Sequence, residues 1–219
     1  MIQMEIFTFN PFQENTYVLF DETGEAIIID PGMHTVSEEA QIKAFISSQN
    51  LKPIAIVNTH AHIDHVMGVE WCRSEYSIPF WLHKLDLVNL EALPIKAQMF
   101  GVSMESVADP DQFINEGEKI SFGNSELDVL FTPGHSPGHV VFIDHLQRRI
   151  IGGDVLFKGS VGRVDLPHCN ADHLVESIRE KLYKLDETYQ VFPGHGPSTT
   201  IGLEKKTNAF VPELGSSLL

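Results

Sequence analysis

The chain has 219 residues, 42 % of them hydrophobic, and a formal net charge of −15. At roughly 150 residues per domain, that length fits one large domain or two small ones, and the acidic balance argues against a surface made for nucleic acid while leaving room for a local basic pocket. No apolar run approaches the roughly 18 residues needed to cross a bilayer, export is not expected from a start, Met1-Ile2-Gln3-Met4-Glu5-Ile6, without a basic n-region or cleavage signal, and Cys72 with Cys169 does not suggest a disulfide framework; the expected location is cytoplasmic.

Residues 2–9 and 15–20 alternate or run apolar with β-branched and aromatic side chains, and both read as strands. Gly24 turns the chain into Ala26-Ile27-Ile28-Ile29-Asp30, a buried strand stopped by Pro31-Gly32. Thr35 and Glu38 have the spacing of a capping box, which predicts a helix to about Asn50 with Ile42, Phe45 and Ile46 on one face. Ile54-Ala55-Ile56-Val57 reads as a short buried strand, a helix is expected from Val66, and Pro79 to His83 reads as another strand. Residues 84–112 are mixed and partly helical, with ends the pattern does not place. Further on, 118–122 pairs with 127–131 across Gly123-Asn124, and 140–143 pairs with 149–151. Asn170 or Asp172 caps a helix whose apolar face is Leu174, Ile178, Leu182 and Leu185. Gln190-Val191-Phe192 is a last strand. With no linker or repeat, the whole of 1–219 reads as one α/β domain, a sheet sandwich between helical layers.

The densest chemistry lies at His60-Ala61-His62-Ile63-Asp64-His65, four metal-ligand side chains in six residues. In an extended segment residues i and i+2 share a side, so His60 and His62 can meet one ion just past strand 54–57, while Asp64 and His65 turn toward a neighbouring ion. His135, Asp154 and His195 each follow a strand in a Gly-containing exit: Thr132-Pro133-Gly134-His135, Gly152-Gly153-Asp154 and Pro193-Gly194-His195. Seven ligands exceed one tetrahedral ion's need. The count gives two sets: His60, His62 and His135 for one metal, Asp64, His65 and His195 for the other, with Asp154 as the bridging carboxylate. The ions expected are two divalent metals, zinc first, with iron or manganese also compatible.

Other candidates read differently. Asp30, at the end of its strand, is expected to be a buried carboxylate that orders the ligand loops. His83 reads as a structural histidine at a strand end, His139 as the start of the next strand, and His34, His145 and His173 as surface residues. Cys169 lies near the expected cleft without the features of a nucleophile; Cys72 reads as helix packing.

Taken together, His60 to His65, Thr132-Pro133-Gly134-His135-Ser136-Pro137-Gly138-His139, Gly153-Asp154, Pro193-Gly194-His195-Gly196 and Ile28-Ile29-Asp30-Pro31-Gly32 resemble the metallo-β-lactamase-fold hydrolases over nearly the whole chain. The stretches Gly159 to Pro167 and Pro197 to Phe210 are most similar to the short, single-domain glyoxalase II group, the hydroxyacylglutathione hydrolases. The resemblance implies an αββα sandwich and a binuclear hydrolase that cleaves a small-molecule thioester such as S-lactoylglutathione, with Asp64 also orienting the attacking hydroxide. The long enzymes of that group carry a basic C-terminal extension that grips glutathione; here Val211-Pro212-Glu213 has no Arg or Lys, and His168-Cys169 interrupts a stretch that is often glycine-rich. Arg163 and Lys158 are the expected substrate-carboxylate contacts, with Lys205 and Lys206 as further candidates. Alternatives on the same scaffold are a mononuclear-iron persulfide dioxygenase, a lactonase or other ester hydrolase or β-lactamase, and, outside enzymes, an iron redox or binding scaffold. No nucleic-acid or membrane partner is expected, and the sequence leaves the oligomeric state open.

Overall fold

The computed structural model describes residues 1–104 and 106–211; Pro212 and Glu213, part of the stretch expected to lack a basic clamp, lie outside them. Strands β1 (Gln3–Phe9), β2 (Glu14–Phe20) and β3 (Glu25–Ile29) make an antiparallel meander. Helix α1 (Val36–Ser48) then crosses to β4 (Lys52–Val57), α2 (Val69–Tyr76) to β5 (Phe80–Leu82), and α3 (Leu87–Glu91) with α4 (Leu93–Phe100) to β6 (Gln112–Phe113). Each helical crossover returns the chain in the same direction, so β3 to β6 are parallel neighbours. The first sheet therefore runs β1-β2-β3-β4-β5-β6.

The second half builds a matching sheet. Short connections at 123–124 and 145–148, and the longer loop 132–139 that carries His135, keep β7 (Lys119–Phe122), β8 (Ser125–Phe131), β9 (Val140–Asp144) and β10 (Arg149–Gly153) antiparallel. A small hairpin, β11 (Leu156–Phe157) and β12 (Ser160–Val161), precedes helix α5 (Ala171–Glu176). That helix widens into a π turn at Ser177–Lys181 and ends in a 3-10 turn. It crosses to β13 (Gln190–Pro193), parallel to β10, and the chain closes with β14 (Thr199–Thr200) and α6 (Ile201–Thr207). The second sheet runs β14-β13-β10-β9-β8-β7.

Strand parity explains the layers. Ile27 and Ile29 of β3, with Tyr17 and Leu19 of β2, face Leu127, Val129 and Phe142 of the second sheet. Their neighbours Ile28 and Val18 point the other way, onto Ile42 and Ile46 of α1 and Val69 and Cys72 of α2. On the far side, Val141, Ile143 and Val191 meet Leu174, Ile178 and Leu182 along α5 and its continuation. Three apolar clusters separated by two sheets are an αββα sandwich in one domain, and β2, covered on both faces, is buried at every position. The capping box at Thr35 and Glu38 forms in both directions, and Asn170 caps α5. Two expectations shift. The helix placed at Val66 starts at Val69, because Ile63–His65 take a 3-10 turn that aims the ligand side chains. The two-residue strands β6, β11, β12 and β14 and helix α6 fall below what periodicity resolves. Among the described residues no helix is long and apolar enough to cross a membrane.

Candidate metal centre

Strands β8, β10 and β13 run the same way and end at one edge of their sheet, and β4 delivers His60 to the facing edge. The structure brings His60, His62 and His135 together, with ligand atoms within 4.8 Å of one another, and does the same for Asp64, His65 and His195. Asp154 lies between the sets. Its Oδ2 is 3.4 Å from His135 Nε2 and 3.5 Å from His195 Nε2, and its Oδ1 is 3.6 Å from His65 Nε2. Asp64 Oδ2 stands 3.1 Å from His195 Nε2. Close approach here needs glycine: a Cβ on Gly194 would collide with Asp154 Oδ1 and stand 2.6 Å from His65 Cε1.

Outer hydrogen bonds set the tautomers. His65 Nδ1 donates to Asp30 Oδ2 (3.1 Å), His135 Nδ1 to the Arg163 carbonyl (2.8 Å) and His195 Nδ1 to the Phe12 carbonyl (3.1 Å). His60 Nδ1 meets Thr59 Oγ1 at 3.1 Å, and that hydroxyl donates to Asp30. Each of these rings therefore presents Nε2, as an acceptor, to the centre. His62 turns the other nitrogen, Nδ1, to within 2.8 Å of His135 Nε2. Nε2 of His60 and His65 and Oδ1 of Asp154 are buried with no hydrogen-bond partner. Converging lone pairs in a buried site are costly unless a cation collects them, so the donor set fits a pair of divalent ions, two imidazole-rich sets sharing a carboxylate.

The field in the centre is uneven. Burial pushes His60, His62 and His135 below the usual imidazole range. Burial acts the same way on His65 and His195, but Asp154 and Asp64 outweigh it and raise both. Those imidazoles in turn overcome burial at Asp64 and Asp154 and hold both carboxyls below their ordinary values.

Asp30 is placed as the sequence suggested, buried with its oxygens on Thr59 N (2.7 Å), Thr59 Oγ1 and His65 Nδ1; this engagement argues against reading it as a ligand, although it stands within ligand distance of His60 and His65. Other supports escaped sequence reasoning. Asp86, fully buried, accepts from Ala61 N, between the first two histidines, and from Gly138 N and the Ser136 hydroxyl beside His135. His139, also fully buried, accepts from Asp154 N through Nε2 (3.0 Å) and stacks on His60. The start of β2 holds the last ligand loop: Asn15 N donates to Gly194 O, and Asn15 Nδ2 to Pro193 O and Gly196 O. Glu14 is buried behind His65, and burial raises its carboxyl well above the usual range. His83 caps Leu85 N and stacks on Phe131. The Cys169 thiol donates to the His135 carbonyl, and burial raises its pKa.

Above the centre opens a cavity of about 410 Å³, lined by Asp64, His135, Asp154 and His195 and by Phe12, Met99 and Phe100 among others. Arg163 lines it, but its guanidinium is engaged with Asp165. Lys158 does not line it; it is exposed, next to Gly159 (φ 72°) at the tip of the β11–β12 hairpin. Lys96 of α4 does line it, and no local signal marked that residue. His168 adopts a φ of 69°, the left-handed region where glycine would be easier.

The sandwich and its paired His/Asp centre define a class, and the comparison with known families agrees: residues 9–195 match the metallo-beta-lactamase superfamily, and the chain belongs to it, as a metal-dependent hydrolase. It is similar to the hydroxyacylglutathione hydrolase GloC of Haemophilus influenzae, 35 % identical over 212 residues, covering 96 % of this chain and 98 % of that one. Among solved structures it is similar to the BLEG-1 B3 metallo-beta-lactamase (TM-score 0.87, 34 % identity, 95 % of this chain and 99 % of that one). It is also similar to TTHA1623 in a di-iron-bound form (TM-score 0.85, 39 % identity, 94 % and 99 %).

Proposed function

We propose that this protein hydrolyses a thioester of a small acid, with S-lactoylglutathione as the test substrate, at a centre of two divalent ions held by His60, His62 and His135, by Asp64, His65 and His195, and by Asp154 between them. The observation that carries the binuclear reading is the position of Asp154, within 3.4–3.6 Å of imidazole nitrogens from both sets. When bound, such a pair supplies Lewis acidity for a carbonyl and a water acidic enough to attack at neutral pH. The chain's own groups do the rest. Asp64, its carboxyl kept ionised by His65 and His195, accepts a hydrogen bond from the attacking water and orients it. The outer hydrogen bonds of Asp30, Thr59 and the Arg163 and Phe12 carbonyls hold the imidazoles in place, and Phe12, Met99 and Phe100 give the cavity an apolar wall.

The leaving group follows from what the cavity lacks. Outside the ligand sets, its titratable lining among the described residues is Lys96 and Arg163. A thiolate leaves with little protonation, so no dedicated general acid is required, and thioesters are favoured over amides. The similarity to GloC supports the same direction. Arg163 at the rim is the proposed contact for a substrate carboxylate, in competition with Asp165. A β-lactamase reading is the second, supported by the similarity to BLEG-1. Zinc, iron and manganese all suit this donor set, and a relative solved in a di-iron-bound form supports iron.

The test is thiol release from S-lactoylglutathione by protein loaded in turn with zinc, iron and manganese, with metal content measured. Thiol release with nearly two ions per chain is expected. Oxygen uptake with glutathione persulfide, one iron per chain and no thiol release would replace this reading with the dioxygenase; nitrocefin opening without thiol release would replace it with the β-lactamase.

A further inference from the structure

Two cations face the cavity, and they are held differently. Arg163 is 57 % exposed at its side chain, and it forms a two-point pair with Asp165, Nε to Oδ1 at 2.7 Å and Nη2 to Oδ2 at 2.8 Å. Lys96 is half-buried on α4, and among the described residues it has no carboxylate within ion-pair distance. Its Nζ donates to Asn89 Oδ1 at 2.9 Å. Asn89 is itself fully buried and fixed, its Nδ2 donating to Ser136 Oγ (3.0 Å) and Asp86 Oδ1 (3.3 Å). The ammonium thus hangs from the network that clamps the His60–His62 and His135 loops, with one of its three N–H donors used. Its charge acts on His62 of one ligand set and on Asp64 of the other. Beside it on the same helix, Met99 and Phe100 turn apolar surface to the cavity, and Phe100 meets Phe12 edge-on at 5.4 Å. Burial lowers the proton affinity of Lys96 and the charges of Asp86 and Asp64 act against that from a distance, but neither carboxylate pairs with it. A pre-positioned cation with spare donors, next to an apolar wall and without an ion-paired carboxylate among the described residues, is a recognition element for an external one.

We propose that Lys96 is a specificity-determining residue that binds a carboxylate of the substrate, so that the enzyme prefers thioesters combining an apolar body with a negative charge close to the scissile group. This rests on the thioesterase reading of the same cavity. Lys96 does not take part in bond making; it selects by charge, and its loss acts on discrimination between substrates.

Two matched pairs of thioesters test it. One pair differs on the thiol side, the lactoyl thioesters of 3-mercaptopropionate and of 3-mercaptopropionamide. The other differs on the acyl side, succinyl and succinamoyl thioesters of one neutral thiol. In at least one pair the wild type is expected to favour the carboxylate by about tenfold in kcat/KM, the worth of one charge-assisted hydrogen bond, with the difference carried by KM. Lys96→Met, which keeps the aliphatic stem, brings that ratio close to one at unchanged metal content, and Lys96→Arg restores part of it. Equal rates on both members of both pairs would overturn the proposal. So would a preference that survives in Lys96→Met and vanishes in Arg163→Ala. If the loaded protein cleaves no thioester, the thioesterase reading fails separately. Calorimetry with the corresponding non-hydrolysable thioethers, S-butyl-3-mercaptopropionate against its amide and 4-(butylthio)butanoate against its amide, then decides on Lys96. Tighter binding of either carboxylate, lost in Lys96→Met, sustains the charge selection, and no difference in either pair ends it.

Discussion

One half of the centre hangs mainly on Asp86 and the other on Asp30, which also reaches into the first. Asp86 never touches a ligand ring; it takes the Ala61 and Gly138 backbone donors and the Ser136 hydroxyl, and so fixes the two loops that carry His60, His62 and His135. Asp30 reaches a ring directly, accepting from His65 Nδ1, and reaches His60 through the Thr59 hydroxyl. The electrostatics divide along a similar line: the three imidazoles of the first set are pushed down by burial, while His65 and His195 are raised by Asp154 and Asp64. The first half is thus built to hold neutral imidazoles by backbone rigidity. The second is built around carboxylates, so protons and metal compete for it more strongly.

Asp154 is the ligand both halves share, and its removal is the largest disturbance expected. Asp154→Ala should take metal content from nearly two ions to one or fewer. It should lower kcat/KM by about a thousandfold or more, the several kcal/mol that a metal contributes to a developing oxyanion. Elemental analysis with thiol-release kinetics checks both. Retention of two ions would show that the halves fill independently and that Asp154 does not couple them.

Asp86→Ala comes next and should register as stability. It leaves buried donors on Ala61 and Gly138 without acceptors, at about 1–3 kcal/mol for each unsatisfied group. For a domain of this size a loss of about 3 kcal/mol is a fall in Tm of roughly 6–12 °C. Asp30→Ala should instead show in metal affinity, about 10- to 100-fold weaker as expected for an outer partner of a ligating histidine, and larger for the ion of the Asp64–His65–His195 set, whose His65 it holds directly, than for the other, which it reaches only through Thr59 and His60. Equal losses for both ions in both variants would erase the division between loop support and ring support.

How far each half is legible in sequence follows the same division. His60 to His65 is a local signal, and the strand exits before His135, Asp154 and His195 make those residues visible because each motif carries its own glycine. Asp30 was legible because it ends an apolar strand before Pro31-Gly32. Asp86 was not: its partners Ala61 and Ser136 lie 25 and 50 residues away, and Lys84-Leu85-Asp86 sits in a stretch without periodicity. His139 likewise acts through a backbone donor 15 residues on. Lys96 and the apolar wall become visible only when α4 folds over the centre, and Lys158, a basic candidate by charge alone, stands exposed at a hairpin tip outside the cavity lining, because residue type does not say which side of a hairpin faces the cavity. The three-layer fold was legible through strand parity and helix periodicity, which are local; the two-residue strands depend on a neighbour's edge, which is not.

Acid should separate the halves by a smaller and graded effect. Metal binding requires the protons on His65 and His195 to leave. Because Asp154 and Asp64 raise the proton affinity of those two rings, protons compete there at higher pH than at His60, His62 and His135, where burial lowers it. As pH falls, the ion of the Asp64–His65–His195 set should leave first and the other at lower pH. Equilibrium dialysis at stepped pH followed by elemental analysis should show a plateau near one ion per chain. Asp64→Asn, which removes one negative neighbour and a ligand of that set, should begin on the plateau. A single step from two ions to none would show that the field difference does not survive metal binding.

The smallest effects are expected from Cys169→Ala and His83→Ala, which belong to neither half. The Cys169 thiol is partly buried, donates to the His135 carbonyl, and has a proton affinity raised by burial, so it supplies little thiolate at neutral pH. What its removal leaves is a carbonyl with one weak donor fewer. His135 stays oriented by its own bond to the Arg163 carbonyl. His83 is tied to Leu85 N and stacked on Phe131, away from the cavity lining. Both variants should keep two ions and lie within about threefold of wild-type kcat/KM, the range of a neutral hydrogen bond lost at a distance from the reacting atoms. If Cys169→Ala abolished turnover while metal content stayed at two, the thiol would be attacking the acyl group itself. A covalent acyl-enzyme, detectable by mass spectrometry on the wild type, would then take the place of direct attack by water at the centre.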